Sequence, residues 1–267
     1  MVGVIKIIKA MFLWNTPRFN LYKTIVLNYK LLPFKQAVKF PIFMYGKWNF
    51  RSLHGKIVID ADSVETGMFR FGADTTGYFT AAISTLSMLD KSTLHISPGV
   101  RIGQGVQICM YPNSSLVLKK KAALNDFVKV ICSSKIEIGE GTDITWECQV
   151  IDYNSHYILD ISSNSIANIS KPILIGDYCW VCNRTTIMPG TNLPNRVIVS
   201  SGSLLNKDYK KLGIREYSLI GGTPAKLLKE NLYRMYVKEN YTKIKNYFRN
   251  NPDSSFYEIK SEDNFAE

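Results

Sequence analysis

No run of about 18 uninterrupted apolar residues occurs in this 267-residue chain, so no membrane-spanning helix is expected. The apolar start, MVGVIKIIKAMFLW, is broken by Lys6 and Lys9 and lacks a small-residue cleavage site, which disfavours a signal peptide. Aspartate and glutamate are missing from residues 1 to 52, although nine lysines and arginines lie there. Cysteine is sparse and odd in number: Cys109, Cys132, Cys148, Cys179 and Cys182 make no disulfide framework and fit a reducing, cytoplasmic compartment. Histidine occurs three times, as His54, His95 and His156, with no cluster that would complete a metal centre, so no metal is expected.

What the chain does have is 46% apolar residues, ample for a core, and a formal charge of +11. A surface this basic attracts polyanions such as nucleic acid, anionic lipid or a phosphate-rich cofactor, and charge alone does not choose among them. No nucleic-acid recognition motif accompanies the charge, so nucleic acid is not an expected partner. In the basic block, Val4, Ile8, Met11 and Phe12 recur at helical spacing. Two readings stand: a partly helical arm (1–52) packing on the main body, or a helix within residues 1–50 lying on an anionic membrane surface.

A period of six dominates the rest. Ile175, Val181, Ile187, Leu193, Val199 and Leu205 form one aliphatic row, and Ile173, Cys179, Thr185, Thr191, Val197 and Ser203 run two places ahead of it. The rhythm returns at Ile96, Ile102 and Ile108, at Leu118, Leu124 and Val130, and at Ile138, Ile144 and Val150. Register shifts fall near 109–115 and 131–137, and a long break spans 152–172. Ile57/Ile59 and Phe69/Phe71 suggest a degenerate beginning. Neither a 3.6-residue helix nor a hairpin series has this period. A triangular solenoid does: each hexad is a short strand plus a corner, three hexads close a coil, and the aliphatic row points inward. The Ile-Gly pairs at 102–103, 138–139 and 175–176 mark tight corners. The expected body is a parallel β-helix over 53–220 with roughly six or seven coils. Thr223 as N-cap and Pro224 as first helical residue then predict a C-terminal helix over 221–250. An acidic, mobile tail is expected over 251–267.

The segments KPILIGDYCWVCNRTTIMPGTNLP, VIVSSGSLLNKD and YSLIGGTPAKLLK, with IEIGEGTDITWECQVIDYNSHY upstream, resemble the hexapeptide-repeat acyltransferases over about 90–230. KLLPFKQAVKFPI is similar to their polysaccharide O-acetyltransferase branch. The resemblance implies a left-handed coil, a homotrimer with active sites in clefts between neighbouring coils, and acetyl-CoA as acyl donor. It implies His156, on the long break, as general base, and imidazole titrates in the range such a base needs. Asn125 matches an asparagine facing the acceptor hydroxyl, although an asparagine at a corner also suits left-handed backbone. Trp180 matches a tryptophan at the cleft wall. Asn183, Ser201 and Asn206 match positions lining the pantetheine arm, and Lys207, Lys226 and Lys229 match cations that meet its phosphates.

Asn154 stands where the family often has an acidic residue, which leaves Asp152, Asn154, Asp160 or loop carbonyls to orient His156. Cys179 and Cys182 have metal-like spacing, but the hexad register makes them core and corner residues. The expected activity is O-acetylation of a sugar or glycan precursor, at the inner face of the membrane if residues 1–50 bind lipid. N-acetylation of an amino sugar or xenobiotic, and a non-catalytic trimeric scaffold, are the alternatives. A γ-type carbonic anhydrase would need three convergent histidines that this chain lacks.

Overall fold

In a computed structural model, residues 18–73, 82–235 and 238–259 are described. The chain forms two units, one ending at Leu232 and the other beginning at Tyr233.

The first unit is a three-faced coil of parallel strands. Face 1 runs from Ile42–Met44 through Arg101–Ile102, Ala123–Leu124, Asp143–Ile144, Trp180–Val181 and Ile198–Val199 to Leu219–Gly222. Face 2 runs from Lys47–Leu53 through Lys129–Cys132, Gln149–Ile151 and Thr186–Ile187 to Leu204–Leu205. Face 3 runs from Lys56–Ile59 through Lys135–Ile138 and Ile173–Ile175 to Asn192–Leu193. Successive coils stack in register, as where Leu124 lies beside both Ile102 and Ile144. Both six-residue rows point inward: Ile175, Val181, Ile187, Leu193, Val199 and Leu205 are buried, as are Ile173, Cys179, Thr185, Thr191, Val197 and Ser203. The inward-facing threonines return their hydroxyls to backbone, Thr191 Oγ1 donating to Leu205 O at 3.0 Å.

The corner glycines are needed for close approach. A methyl at Gly139 would collide with the carbonyl of Gly176, and one at Gly176 would lie 2.6 Å from Asn195 N. Positive φ falls on other corner residues, among them Phe127, Tyr178 and Arg196.

Helix α1 (Leu21–Leu31) closes the N-terminal end and contacts strands of all three faces of the first coil. Asn20 starts it, its Oδ1 accepting from Lys23 N at 3.0 Å. Leu27 and Leu31 enter the core, as do Leu32 and, from the single-turn helix α2 (Phe34–Ala37), Ala37. Two buried polar residues of α1 satisfy the first strand's open edge. Asn28 Nδ2 donates to Ile42 O at 2.7 Å, and Thr24 Oγ1 accepts from Met44 N at 3.0 Å.

The coil therefore begins at Ile42, earlier than the expected 53. The core of its first turn is filled by Ile42, Met44, Trp48, Phe69 and Phe71, which keep no sustained six-residue spacing, while Phe43 and Tyr45 pack in a separate cluster with Phe19. The expected helix over Val4–Phe12 lies outside the described residues.

The end of the coil also differs from expectation. Thr223 and Pro224, joined by a cis bond, turn between Leu219–Gly222 and an antiparallel strand, Ala225–Lys229. Those five residues pair with the last strand of face 1 and cover its edge, so they are strand where helix was expected. The C-terminal helix, α3, spans Lys238–Asn250 in the second unit. The chain then folds back, the Tyr257 ring meeting Tyr247 edge-on at 4.9 Å. Among the described residues, no helix is long and apolar enough to cross a membrane.

Candidate active site

The long break in the repeat is a hairpin that leaves the coil where face 2 turns into face 3. Its arms are Leu159–Asp160 and Ser165–Ile166, paired antiparallel. Its root is laced shut: Asn154 N donates to Ile169 O at 2.8 Å, Lys171 N to Asp152 O at 3.1 Å, and Ser170 Oγ to Asp152 O at 3.1 Å.

His156 sits on the outgoing strand just beyond this root and is exposed. No described residue hydrogen-bonds its imidazole. The carboxylates proposed to orient it are engaged elsewhere. Asp152 is buried and accepts from Ser133 N at 2.6 Å and Ser134 N at 2.8 Å, tying the hairpin root to the preceding coil. Burial holds its carboxyl above the ordinary range, against the opposing pull of those amides. Asp160 accepts from the Ser162 hydroxyl at 2.5 Å and from the amides of Ser162 and Ser163, building the hairpin tip. Those bonds lower its pKa to about 2.

Asn154 opens instead onto a cleft of about 360 Å³ between the hairpin root and face 2, lined also by Asn168, Lys171, Met188, Leu204 and Asn206. Asn206, expected to line the pantetheine arm, thus shares a cleft with the segment that carries His156. Lys207 follows at the same corner and is exposed. Lys171, a cation the sequence reading did not select, also faces this cleft. It packs beside the corner at Gly190, where a φ of 82° calls for glycine. The only signal was its place as the first residue after the hairpin, beside a Pro-Gly corner.

Asn125, Asn183 and Ser201 lie at the opposite margin of face 2, and the remaining expected residues lie on face 1. Asn125 occupies the corner between faces 1 and 2, one coil before His156, with its amide bonded to Ile144 O at 2.9 Å. Its φ is not positive, and Phe127 takes the left-handed position of that corner. Asn183 and Ser201 occupy the same corner in later coils and pair, Ser201 Oγ donating to Asn183 Oδ1 at 2.7 Å. Trp180 lies on face 1 beside Asp143 and Ile198. Lys226 and Lys229 extend from the hairpin that closes face 1, rather than from a helix start.

Cys179 is a core residue. Its thiol donates to Pro194 O at 3.1 Å, and burial pushes its pKa up to about 12, which suppresses thiolate chemistry. Cys182 takes a corner, half-buried, as expected.

One protomer therefore carries two sets of candidate residues, one on each margin of face 2. The architecture is a left-handed parallel β-helix. The chain is similar to several proteins over part of its length. Over 136 residues it is 25% identical to a protein of Escherichia coli K12 named as the lipopolysaccharide biosynthesis O-acetyl transferase WbbJ, covering 48% of this chain and 67% of that one. Over 143 residues it is 26% identical to an uncharacterized 24.8 kDa protein in the cps region of Klebsiella pneumoniae, covering 54% and 61%. The chain thus spans about two thirds of the length of these relatives. The solved polysialic acid O-acetyltransferase OatWY shares the fold at TM-score 0.55 and 22% identity, covering 73% of this chain and 95% of that one. No family model matches.

Proposed function

We propose that the protein transfers an acetyl group from acetyl-CoA to a hydroxyl of a sugar or glycan, with His156 as general base. The observation that supports this most is the shared cleft: the hairpin bearing His156 and the coil corner bearing Asn206 line one opening, with Lys171 in it and Lys207 adjacent.

A hydroxyl attacks a thioester poorly until its proton is withdrawn. In the proposed step, neutral His156 accepts that proton as the oxygen bonds to the acetyl carbonyl carbon. The tetrahedral intermediate then expels the thiolate, and the His156 imidazolium returns the proton to sulfur. The products are the O-acetyl ester and free coenzyme A. Lysine cations at 171, 207, 226 and 229 supply charge for the cofactor's phosphates, as point charges without the bidentate fork of arginine.

Because Asn125, Asn183 and Ser201 lie across face 2 from the hairpin that carries His156, a symmetric trimer in which one protomer's margin meets the next one's would join the two sets. The donor and the reduced thiols fit a cytoplasmic location.

The test is thiol release from acetyl-CoA with a panel of sugars and lipid-linked glycans. His156→Ala is expected to lower turnover by roughly 10²–10⁴ while the far-ultraviolet spectrum is unchanged. Undiminished turnover removes His156 from the mechanism.

A further inference from the structure

The helix that closes the coil has a second face. Leu21, Tyr22, Ile25 and Tyr29 of α1 are exposed, and Phe34 and Val38 beyond it are exposed too, Tyr22 at 70% and Phe34 at 72%. They form one surface rather than scattered positions. The Tyr29 ring lies 6.3 Å from Phe34 and 5.8 Å from Phe40. The spacing 21, 22, 25, 29 makes a stripe along α1, away from the buried stripe of Thr24, Leu27, Asn28 and Leu31. Around it stand Lys30, Lys35 and Lys39, all exposed, and none pairs with a carboxylate among the described residues. No acidic residue occurs anywhere in residues 1–52.

We infer that this face of α1 and α2 docks the protein on an anionic lipid bilayer. Aromatic and aliphatic side chains at the level of the headgroups, flanked by lysines whose stems reach outward to phosphates, are the composition of an interfacial helix. A bilayer also explains the complete lack of carboxylates here, since each would be repelled by the same surface that attracts the lysines. The core-facing side of α1 is already occupied by the coil, so docking needs no unfolding. The glycan chemistry proposed above is not required for this inference.

The test is co-sedimentation of the full chain with phosphatidylcholine vesicles, with and without phosphatidylglycerol. Wild type is expected to pellet with the anionic vesicles only. Lys30→Glu/Lys35→Glu/Lys39→Glu is expected to weaken partitioning by about a hundredfold. Tyr22→Ser/Ile25→Ser/Phe34→Ser is expected to weaken it by at least about tenfold. Melting temperatures, unchanged in both variants because these side chains are exposed, show that the fold is kept. Wild type that ignores anionic lipid overturns the proposal. So does undiminished binding by the apolar variant, which would mean that charge alone or residues 1–17 carry the contact. A fall in oligomer mass on apolar substitution would identify the face as a contact between copies, and would overturn it as well.

Discussion

Asp152 and His156 are four positions apart and do opposite things. The aspartate is withdrawn from solvent and holds two amides of the preceding coil. The histidine is exposed and bonded to no described residue, which suits a group that must exchange a proton with a ligand. Asp152 also makes stability depend on pH. Burial raises its folded pKa above the unfolded value, so the folded chain binds this proton more readily. Its contribution to stability therefore falls as pH rises from the ordinary carboxylate range through the raised value, and is level above that. Asp152→Asn is expected to flatten the stability curve over this window. It should also cost about 1–3 kcal/mol, because one of the two serine amides loses its acceptor. Denaturant titrations of both proteins at several pH values provide the check. Parallel curves would mean that Asp152 has an ordinary pKa.

The stacked strand is the unit of the coil, and most of its strands are two to four residues long. Such strands have little independent stability, so each inward aliphatic residue holds three coils together. Ile144 touches its counterparts Leu124 and Val181 and is fully buried. Ile144→Ala is expected to cost about 2–5 kcal/mol in chemical denaturation. Leu228→Ala, on the 58%-exposed side of the closing hairpin, should change stability by less than about 0.5 kcal/mol.

The same contrast explains what could be foreseen. Where inward residues recur every sixth place, the sequence revealed coil, corner and register. It misled at 225–229, where Leu227 and Leu228 are spaced for a helix yet lie exposed on a covering strand. In the first coil, Ile42, Met44, Trp48, Phe69 and Phe71 fill the interior without a sustained six-residue spacing. In the 157–166 hairpin, Ile158, Ile161 and Ile166 face solvent, so no burial alternation marked its strands. The excursion that carries His156 was legible because it interrupts a strict rhythm. Lys171 was missed because it merely ends that interruption.

For the whole molecule, the division of candidate residues between two margins of face 2 predicts shared active sites. If the proposed trimer forms, mixed assemblies of His156→Ala and Asn125→Ala chains should regain activity. About a quarter of their clefts would hold both native residues if each cleft draws one from each neighbour. Activity no greater than that of the separate parents would place both residues in one protomer's site.

The laced root of the hairpin has an evolutionary corollary. With residues 152–154 and 169–171 clasped to each other and to the coil beneath, the segment between them behaves as an exchangeable cassette. Its length and composition can drift at little entropic cost to the scaffold. Grafting a different excursion beyond His156, between Tyr157 and Asn168, should retarget the protein to another acceptor while His156 and the coil beneath stay in place.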